Sequence, residues 1–150
     1  MIKNALQKLY LRDLQTLKEE IHLYPTDKHL WTIADGITNS GGNLCLHLIG
    51  NLKTYIGSGL AATDYVRDRS FEFSGSGLTK VQLISEIEET MVIVTRGLAS
   101  LTDEQLELKF PIKIWEEETD RVFTLLHLHS HLNYHLGQIN YHRRLLGKDN

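Results

Sequence analysis

The apolar residues of this chain recur every three or four positions along four long stretches, and this period restricts the fold more than any other feature. Such spacing gathers apolar side chains on one side of an α-helix, whereas a half-buried strand alternates every second residue. The stretches predict helices near residues 2–24, 40–57, 79–99 and 119–146. Because 150 residues with 41% hydrophobic content can bury one core, we expect a single all-α domain over residues 1–150, built as a four-helix bundle.

Local signals mark several helix ends. Either Asn39 or Ser40 can cap the second helix, and Thr79 with Gln82 three residues later has the spacing of a capping box for the third. Gly147 is the expected end of the last helix, with the basic residues Arg143, Arg144 and Lys148 near its negative pole.

The connecting segments carry weaker signals. Residues 25–42 and 60–77 are expected to be long connections, the second one irregular, densely charged and rich in glycine. Thr102 with Gln105 has the spacing of another capping box and predicts a short helical turn. Residues 109–115 largely alternate apolar and polar side chains, which favours an extended stretch or a minor hairpin.

Charge and composition exclude several classes of protein. The formal net charge is −3 and no basic block occurs, so binding to nucleic acid or to an anionic membrane is not expected. The first residues turn polar too soon for a secretory signal, and no apolar run approaches the roughly 20 residues that span a bilayer. The single cysteine, Cys45, cannot form an internal disulfide. These features favour a cytoplasmic protein.

Histidine is the unusual residue of this composition, since five of the eight histidines lie within residues 127–142. His127, His131 and His135 follow one another at a spacing of four, and His142 lies seven residues further on. These spacings place the four near one helix face, while His129 points elsewhere. Two imidazoles four residues apart can hold one divalent metal ion. The spacing alone does not choose between the pairs 127/131 and 131/135.

A third ligand has to come from another helix, and His47 is the candidate because it lies within the apolar stripe of the second helix. Three neutral imidazoles with open positions form a catalytic type of site, since structural zinc sites are normally closed by four ligands. A di-iron centre needs two Glu-x-x-His motifs, and the chain has only Glu19 with His22. The alternative interpretation is that His47 is a hydrogen-bonded core residue.

Two segments resemble a known family. Residues 43–52 (NLCLHLIGNL) and residues 131–139 (HLNYHLGQI) are together similar to the DinB/YfiT-like superfamily. The residues from Arg67 to Arg69, followed by Glu72 and Phe73, look most like an uncharacterised branch of it. The resemblance implies a bundle of up-down-down-up connectivity that binds one divalent metal ion, such as zinc, nickel or iron.

Carried over to this chain, the resemblance assigns the metal to three histidines and leaves a fourth beside them. The early histidine of the superfamily becomes His47, and the late pair, followed by Gly-Gln, becomes His131 and His135. His127 then lies one turn beyond the triad, either as a residue that lines a pocket or orients a ligand or, as the slightly favoured interpretation, as an ordinary partly buried residue. No catalytic residue is assigned.

The resemblance also implies a function. Several relatives are metal-dependent transferases or isomerases that use low-molecular-weight thiols, so the expected function is a metal-dependent S-transferase acting on a small molecule with a thiol of the bacillithiol or glutathione type. The alternatives are a non-catalytic, metal-binding, stress-associated homodimer and a plain helical scaffold. Arg67 and Arg69 can bind a thiol cofactor's carboxylate, although a solvated loop is the favoured interpretation.

A homodimer is expected because a bundle of this size often pairs through an exposed apolar face. The expected face lies on the first helix and consists of Tyr10, Leu11 and Leu23.

Overall fold

A computed structural model describes residues 1–146, and the regular structure within this range is helical. The four long helices are α1 (Ile2–His22), α3 (Gly41–Leu52), α5 (Lys80–Ala99) and α6 (Arg121–Leu146). The short ones are α2 (Asp27–Leu30), α4 (Arg69–Ser74), a π-helical segment (Lys53–Ser58) that continues α3, and a 3₁₀ turn (Glu104–Glu107). The predicted all-α class is confirmed, while the predicted end of α6 at Gly147 and the position of Lys148 lie outside the described residues.

In residues 1–146, no helix combines the length and the apolar character that crossing a membrane requires.

The helix starts follow from local hydrogen bonds. Of the two candidate caps for α3, Ser40 is the one used, because its hydroxyl accepts from the backbone N–H of Asn43 at 3.1 Å. The capping box of α5 forms as predicted: the Gln82 side chain accepts from the Thr79 N–H, and the Thr79 hydroxyl accepts from the Gln82 N–H. The same pair of bonds joins residues 102 and 105 ahead of the 3₁₀ turn.

Three predictions for the connections need correction. Residues 60–77 are not wholly irregular, because Asp68 caps α4 by accepting from the Phe71 N–H at 3.0 Å. Residues 25–42 contain α2. Of the two alternatives for residues 109–115, the minor hairpin does not form within them, because β-type pairing there is limited to an isolated bridge between Lys109 and Asp120. The apolar residues of this segment pack on the core instead, with Phe110 buried.

The direction of α1 relative to its neighbours is visible in its contacts. Lys3, at the start of α1, donates to the carbonyl of Leu101 just after α5, while Lys80, at the start of α5, donates to the carbonyl of Tyr24 just after α1. The two helices are therefore antiparallel. α1 runs parallel to α6, since Tyr10 reaches the carbonyl of Leu125 early in α6 and Glu20 pairs with a residue near its end.

α3 runs between α5 and α6 on the other side of the core. It is antiparallel to α6, because Gly41 at its start packs on His142 and His47 further on contacts His131. The π-helical extension runs parallel to α5. Lys53 at its start pairs with Glu86 and Glu89, whereas further along Ile56 packs against Gly97. All twelve residues of α3 are buried, so this helix places its side chains in the interior.

The exposed face that was predicted on α1 for dimerisation is only partly exposed. Tyr10 is fully buried, and its hydroxyl donates to the Leu125 carbonyl at 2.5 Å. A phenol can be buried in this way when its O–H finds a partner. Leu11 is half-buried and Leu23 is exposed, so no continuous aromatic flank remains there.

Candidate metal centre

α3 and α6 bring three predicted histidines together. His47, His131 and His135 each offer a ring nitrogen, and these nitrogens all lie within 4.8 Å of one another. The ring centroid of His47 is 4.9 Å from that of His131 and 5.1 Å from that of His135. The three-histidine group could hold a metal ion. Of the two pairs that spacing left open, 131/135 is the one that meets His47.

A buried carboxylate fixes the ring of His47. The Nδ1 atom of His47 lies 3.0 Å from Glu72 Oε1, and both side chains are almost fully buried. Arg67 donates to both oxygens of Glu72, at 2.8 and 2.9 Å, and so holds the carboxylate in place. With Nδ1–H donated to Glu72, the lone pair of His47 Nε2 points toward α6. A carboxylate in this position is the usual partner of a metal-binding histidine.

The two histidines of α6 are held differently. His135 Nδ1 lies 2.7 Å from Gln138 Oε1, one turn further along the helix, and this bond leaves Nε2 available. His131 Nε2 faces His47 Nε2 at 3.0 Å. His131 Nδ1 is buried and has no hydrogen-bond partner within residues 1–146.

Burial keeps the imidazoles of His47 and His131 in the form that binds metal. It lowers the pKa of His131 to about 3, with the charges of His135 and His47 acting in the same direction. It also lowers the pKa of His47, although the hydrogen bond to Glu72 opposes the shift. Both rings are neutral near pH 7, and a neutral imidazole is the ligand form.

The donor set fits a metal ion. Two nitrogens that share a metal at 2.0–2.1 Å are separated by about 3 Å, which is close to the distance between His47 Nε2 and His131 Nε2. Structural histidines of the same helix look different. His142 bonds through both nitrogens, to the Tyr24 hydroxyl at 2.7 Å and to the Thr32 carbonyl at 2.8 Å.

The other histidines of α6 lie outside the triad. His127 contacts Trp115 edge-on, with ring centroids 4.6 Å apart. His142 lies two turns beyond His135 on the side of α6 that meets α3, as its spacing predicted, and is buried against Tyr24. His129 pairs with Asp13 at 2.7 Å, on the side of α6 that faces α1.

The favoured interpretation of Arg67 as a solvated loop residue is wrong. Its side chain is only 14% exposed because its two hydrogen bonds are to the buried Glu72. Arg69 remains exposed and lies 5.9 Å from the Phe73 ring. Phe73 in turn packs on His47, with ring centroids 4.9 Å apart, so part of the 60–77 segment lies over the centre.

Sequence reasoning missed the supporting residues Glu72, Gln138 and Trp115. Gln138 was within reach, since a residue three positions after His135 lies on the same side of a helix. Glu72 carries no periodic signal, because its position depends on how α4 packs against α3. Cys45 is fully buried in the core, and that burial raises the pKa of its thiol.

The comparisons with known proteins agree with this architecture. The family described as "Protein of unknown function (DUF1572)" matches residues 4–150. The chain belongs to the DUF1572 family. No curated protein matches this DUF1572 chain. A similar solved structure is described as that of a conserved protein of a locus from Enterococcus faecalis. It is 18% identical, has a TM-score of 0.78 and covers 99% of both chains, which shows a shared fold.

Proposed function

We propose that this DUF1572 protein is a metal-dependent member of the DinB/YfiT-like superfamily, in which His47, His131 and His135 hold one divalent ion such as zinc, nickel or iron. The observation that carries the proposal is the pair of Nε2 atoms 3.0 Å apart, with Glu72 holding the opposite side of the His47 ring. The helix directions support a four-helix bundle of up-down-down-up connectivity: α1 and α6 run one way, α3 and α5 the other.

The proposed reaction is the transfer of a low-molecular-weight thiol of the bacillithiol or glutathione type to a small electrophile. A bound divalent ion would supply the positive charge that lowers the pKa of a thiol sulfur. The chain's own residues provide the rest of the site. Glu72 and Arg67 keep His47 oriented, Phe73 packs on the His47 ring, and Trp115 packs on the ring of His127.

Metal content tests the first part of the proposal. Untagged protein should bind one divalent ion per chain, and His47→Ala should lose tight binding because the remaining pair supplies only two bonds. His22→Ala is the matched control, since it removes an exposed histidine of α1. The metal assignment is wrong if His47→Ala retains the affinity of the parent protein in calorimetry.

Thiol consumption tests the second part. Metal-loaded protein should consume at least one thiol of a panel faster than the metal-stripped protein, in the presence of epoxide or chloro-aromatic acceptors. If the two preparations consume every thiol at the same rate, the transferase hypothesis is wrong. The alternative, a non-catalytic, metal-binding, stress-associated homodimer, then takes its place.

A further inference from the structure

The outer face of α6 carries a second apolar stripe in addition to the one in the core. Five large apolar side chains on it, each 45–71% exposed, are Phe123, Leu126, Tyr134, Tyr141 and Leu145. The exposed small residues Ser130 and Gly137 lie between them. The spacings are three or four residues throughout, so all seven share one helix face. We call this set the α6 stripe.

The α6 stripe lies opposite to the buried side of the same helix. The buried residues of α6 include Leu125, Leu128, Leu132, Leu136 and Ile139, which at 100° per residue lie about half a turn away from the stripe. A helix at the surface normally presents charged side chains there. None of the seven stripe positions is charged, so this face is suited to contact with another apolar surface.

The order of residue sizes in the stripe is symmetric about Tyr134. A small residue lies on each side of it, at 130 and 137, then a large one, at 126 and 141, and then another large one, at 123 and 145. An antiparallel copy of α6 would therefore place small residues opposite small ones and large residues opposite large ones. In a two-fold interface residue i contacts residue j of the partner and j contacts i, and small residues opposite small ones let the two helices approach closely there.

The charges at the two ends of the stripe favour the antiparallel arrangement. Exposed Arg144 lies beside Tyr141 at the carboxyl end, with its guanidinium 5.4 Å from the ring. Exposed Glu116, Glu117 and Asp120 lie ahead of Phe123 at the amino end. An antiparallel pair brings each arginine toward the acidic end of the other copy, whereas a parallel pair brings like charges together.

The available area is in the range of a stable dimer. α6 has 26 residues and is about 39 Å long. From their exposed fractions, the five large side chains offer about 500–600 Å² per copy. A stable interface buries about 800 Å² per partner, and polar residues flanking the stripe can supply the remainder.

We propose that the α6 stripe is the interface of a homodimer in which two copies of α6 pack antiparallel about a two-fold axis at Tyr134. This proposal does not depend on metal binding or on thiol chemistry. It places the partner close to the candidate metal centre, because the Tyr134 ring contacts the His135 ring with centroids 5.2 Å apart. The dimer face is thus on the last helix and not on the first.

The first test is the oligomeric state of a charge variant and of its matched control. Leu126→Glu places two glutamates in the dimer interface, while Val92→Glu changes an exposed apolar residue of α5 beside Glu88, Glu89 and Arg96. Sedimentation analysis should find the parent and Val92→Glu as dimers, with Leu126→Glu at least about 100-fold weaker. Circular dichroism should show all three equally helical, because both positions are exposed in the monomer.

The second test fixes the orientation by disulfide formation between single cysteines, against a background in which Cys45 is buried. Tyr134→Cys should cross-link to itself. Phe123→Cys should not cross-link to itself but should cross-link to Leu145→Cys in a mixed sample. A parent protein that stays monomeric at high micromolar concentration overturns the dimer, and so does a monomer that uses the stripe to bind neutral lipid vesicles. Self-cross-linking of Phe123→Cys overturns the antiparallel arrangement.

Discussion

The three histidines of the candidate metal centre are held by different neighbours. His47 is oriented by a buried carboxylate that is itself fixed by Arg67, and His135 by an amide oxygen of Gln138, whereas His131 contacts the other two rings and its Nδ1 has no partner within residues 1–146. Because a histidine ring binds metal only in the correct tautomer and orientation, the first of these contacts should matter most for affinity. Glu72 is the residue that tests this difference.

Glu72→Gln should weaken binding of a divalent ion by about 10–100-fold. The amide oxygen can still accept from His47, but the variant loses the negative charge and its ion pair with Arg67, whose nearest nitrogen already lies 3.3 Å from His47 Nδ1. Titration of zinc against a competing chelator measures the change. Glu88→Gln is the control, since it removes an exposed carboxylate that pairs with Lys18. Equal affinities in the two variants would contradict the role of Glu72.

The residues of the centre could be predicted where they lie on the regular pattern of a helix, and not where they lie in or after an irregular loop. His131 and His135 were visible as candidates because a helix brings positions four apart together, and His47 because it interrupts an apolar stripe. The choice of the pair 131/135 came from the family resemblance. Arg67 lies in the loop before α4 and Glu72 lies in α4 itself, so neither periodicity nor spacing placed them beside His47, and Arg67 was misjudged as solvated.

At the scale of elements, the approach of α4 to α3 determines whether Glu72 can reach His47. Gly50 makes this approach possible, because a Cβ at this position would overlap the Glu72 carboxylate. Asn43 adds two hydrogen bonds from α3, to the carbonyls of Glu72 and Gly75 at 3.1 and 2.8 Å. These contacts join the short helix to the buried one.

Gly50→Ala should destabilise the protein by about 1–3 kcal/mol, because the added methyl displaces Glu72 from its buried position. It should also weaken metal binding and expose residues 60–77 to proteases. Ser85→Ala is the control: it changes an exposed residue in the middle of α5, and the higher helix propensity of alanine should stabilise by about 0.5 kcal/mol or less. Urea unfolding of both variants measures the difference, and equal midpoints would show that α4 does not depend on Gly50.

The long helices were predicted to within two residues at each described end, if the π-helical segment is counted with α3, because their apolar period is local and their capping residues are adjacent. The π-helical segment Lys53–Ser58 was not predicted. A change of the backbone hydrogen bonds from i−4 to i−5 over one turn cannot be recognised from the spacing of the apolar residues in the sequence. α2 and α4 were missed because helices of four and six residues depend on the surface against which they pack.

At the scale of the whole molecule, the first and last helices are joined by buried polar clusters. Asp13 accepts from Asn133 and pairs with His129, while Glu20 accepts from Asn140 and Arg143, each across more than 110 residues. Burying a carboxylate without such partners costs several kcal/mol. The clusters therefore favour the parallel register of α1 and α6 over shifted alternatives.

The buried histidines make the stability of the metal-free molecule depend on pH. Burial lowers the pKa of His47, His131 and His142 below the ordinary value of 6.5. Below pH 6.5 these histidines therefore bind protons in the unfolded chain but remain neutral in the folded chain. The stabilising contribution is complete above this pH and is lost as the pH falls, over a window that reaches about pH 3 for His131.

We expect the free energy of unfolding of the chelator-treated protein to fall between about pH 6.5 and about pH 5, with at most about 1.4 kcal/mol per pH unit from each histidine. Urea unfolding across this range measures the slope. His142→Gln should lower stability and reduce the slope, because it removes a group whose protonation would break its hydrogen bond from the Tyr24 hydroxyl. His22→Gln, which changes an exposed residue, should keep the parent's slope. If His142→Gln and the parent give parallel lines, the pH dependence comes from groups other than His142.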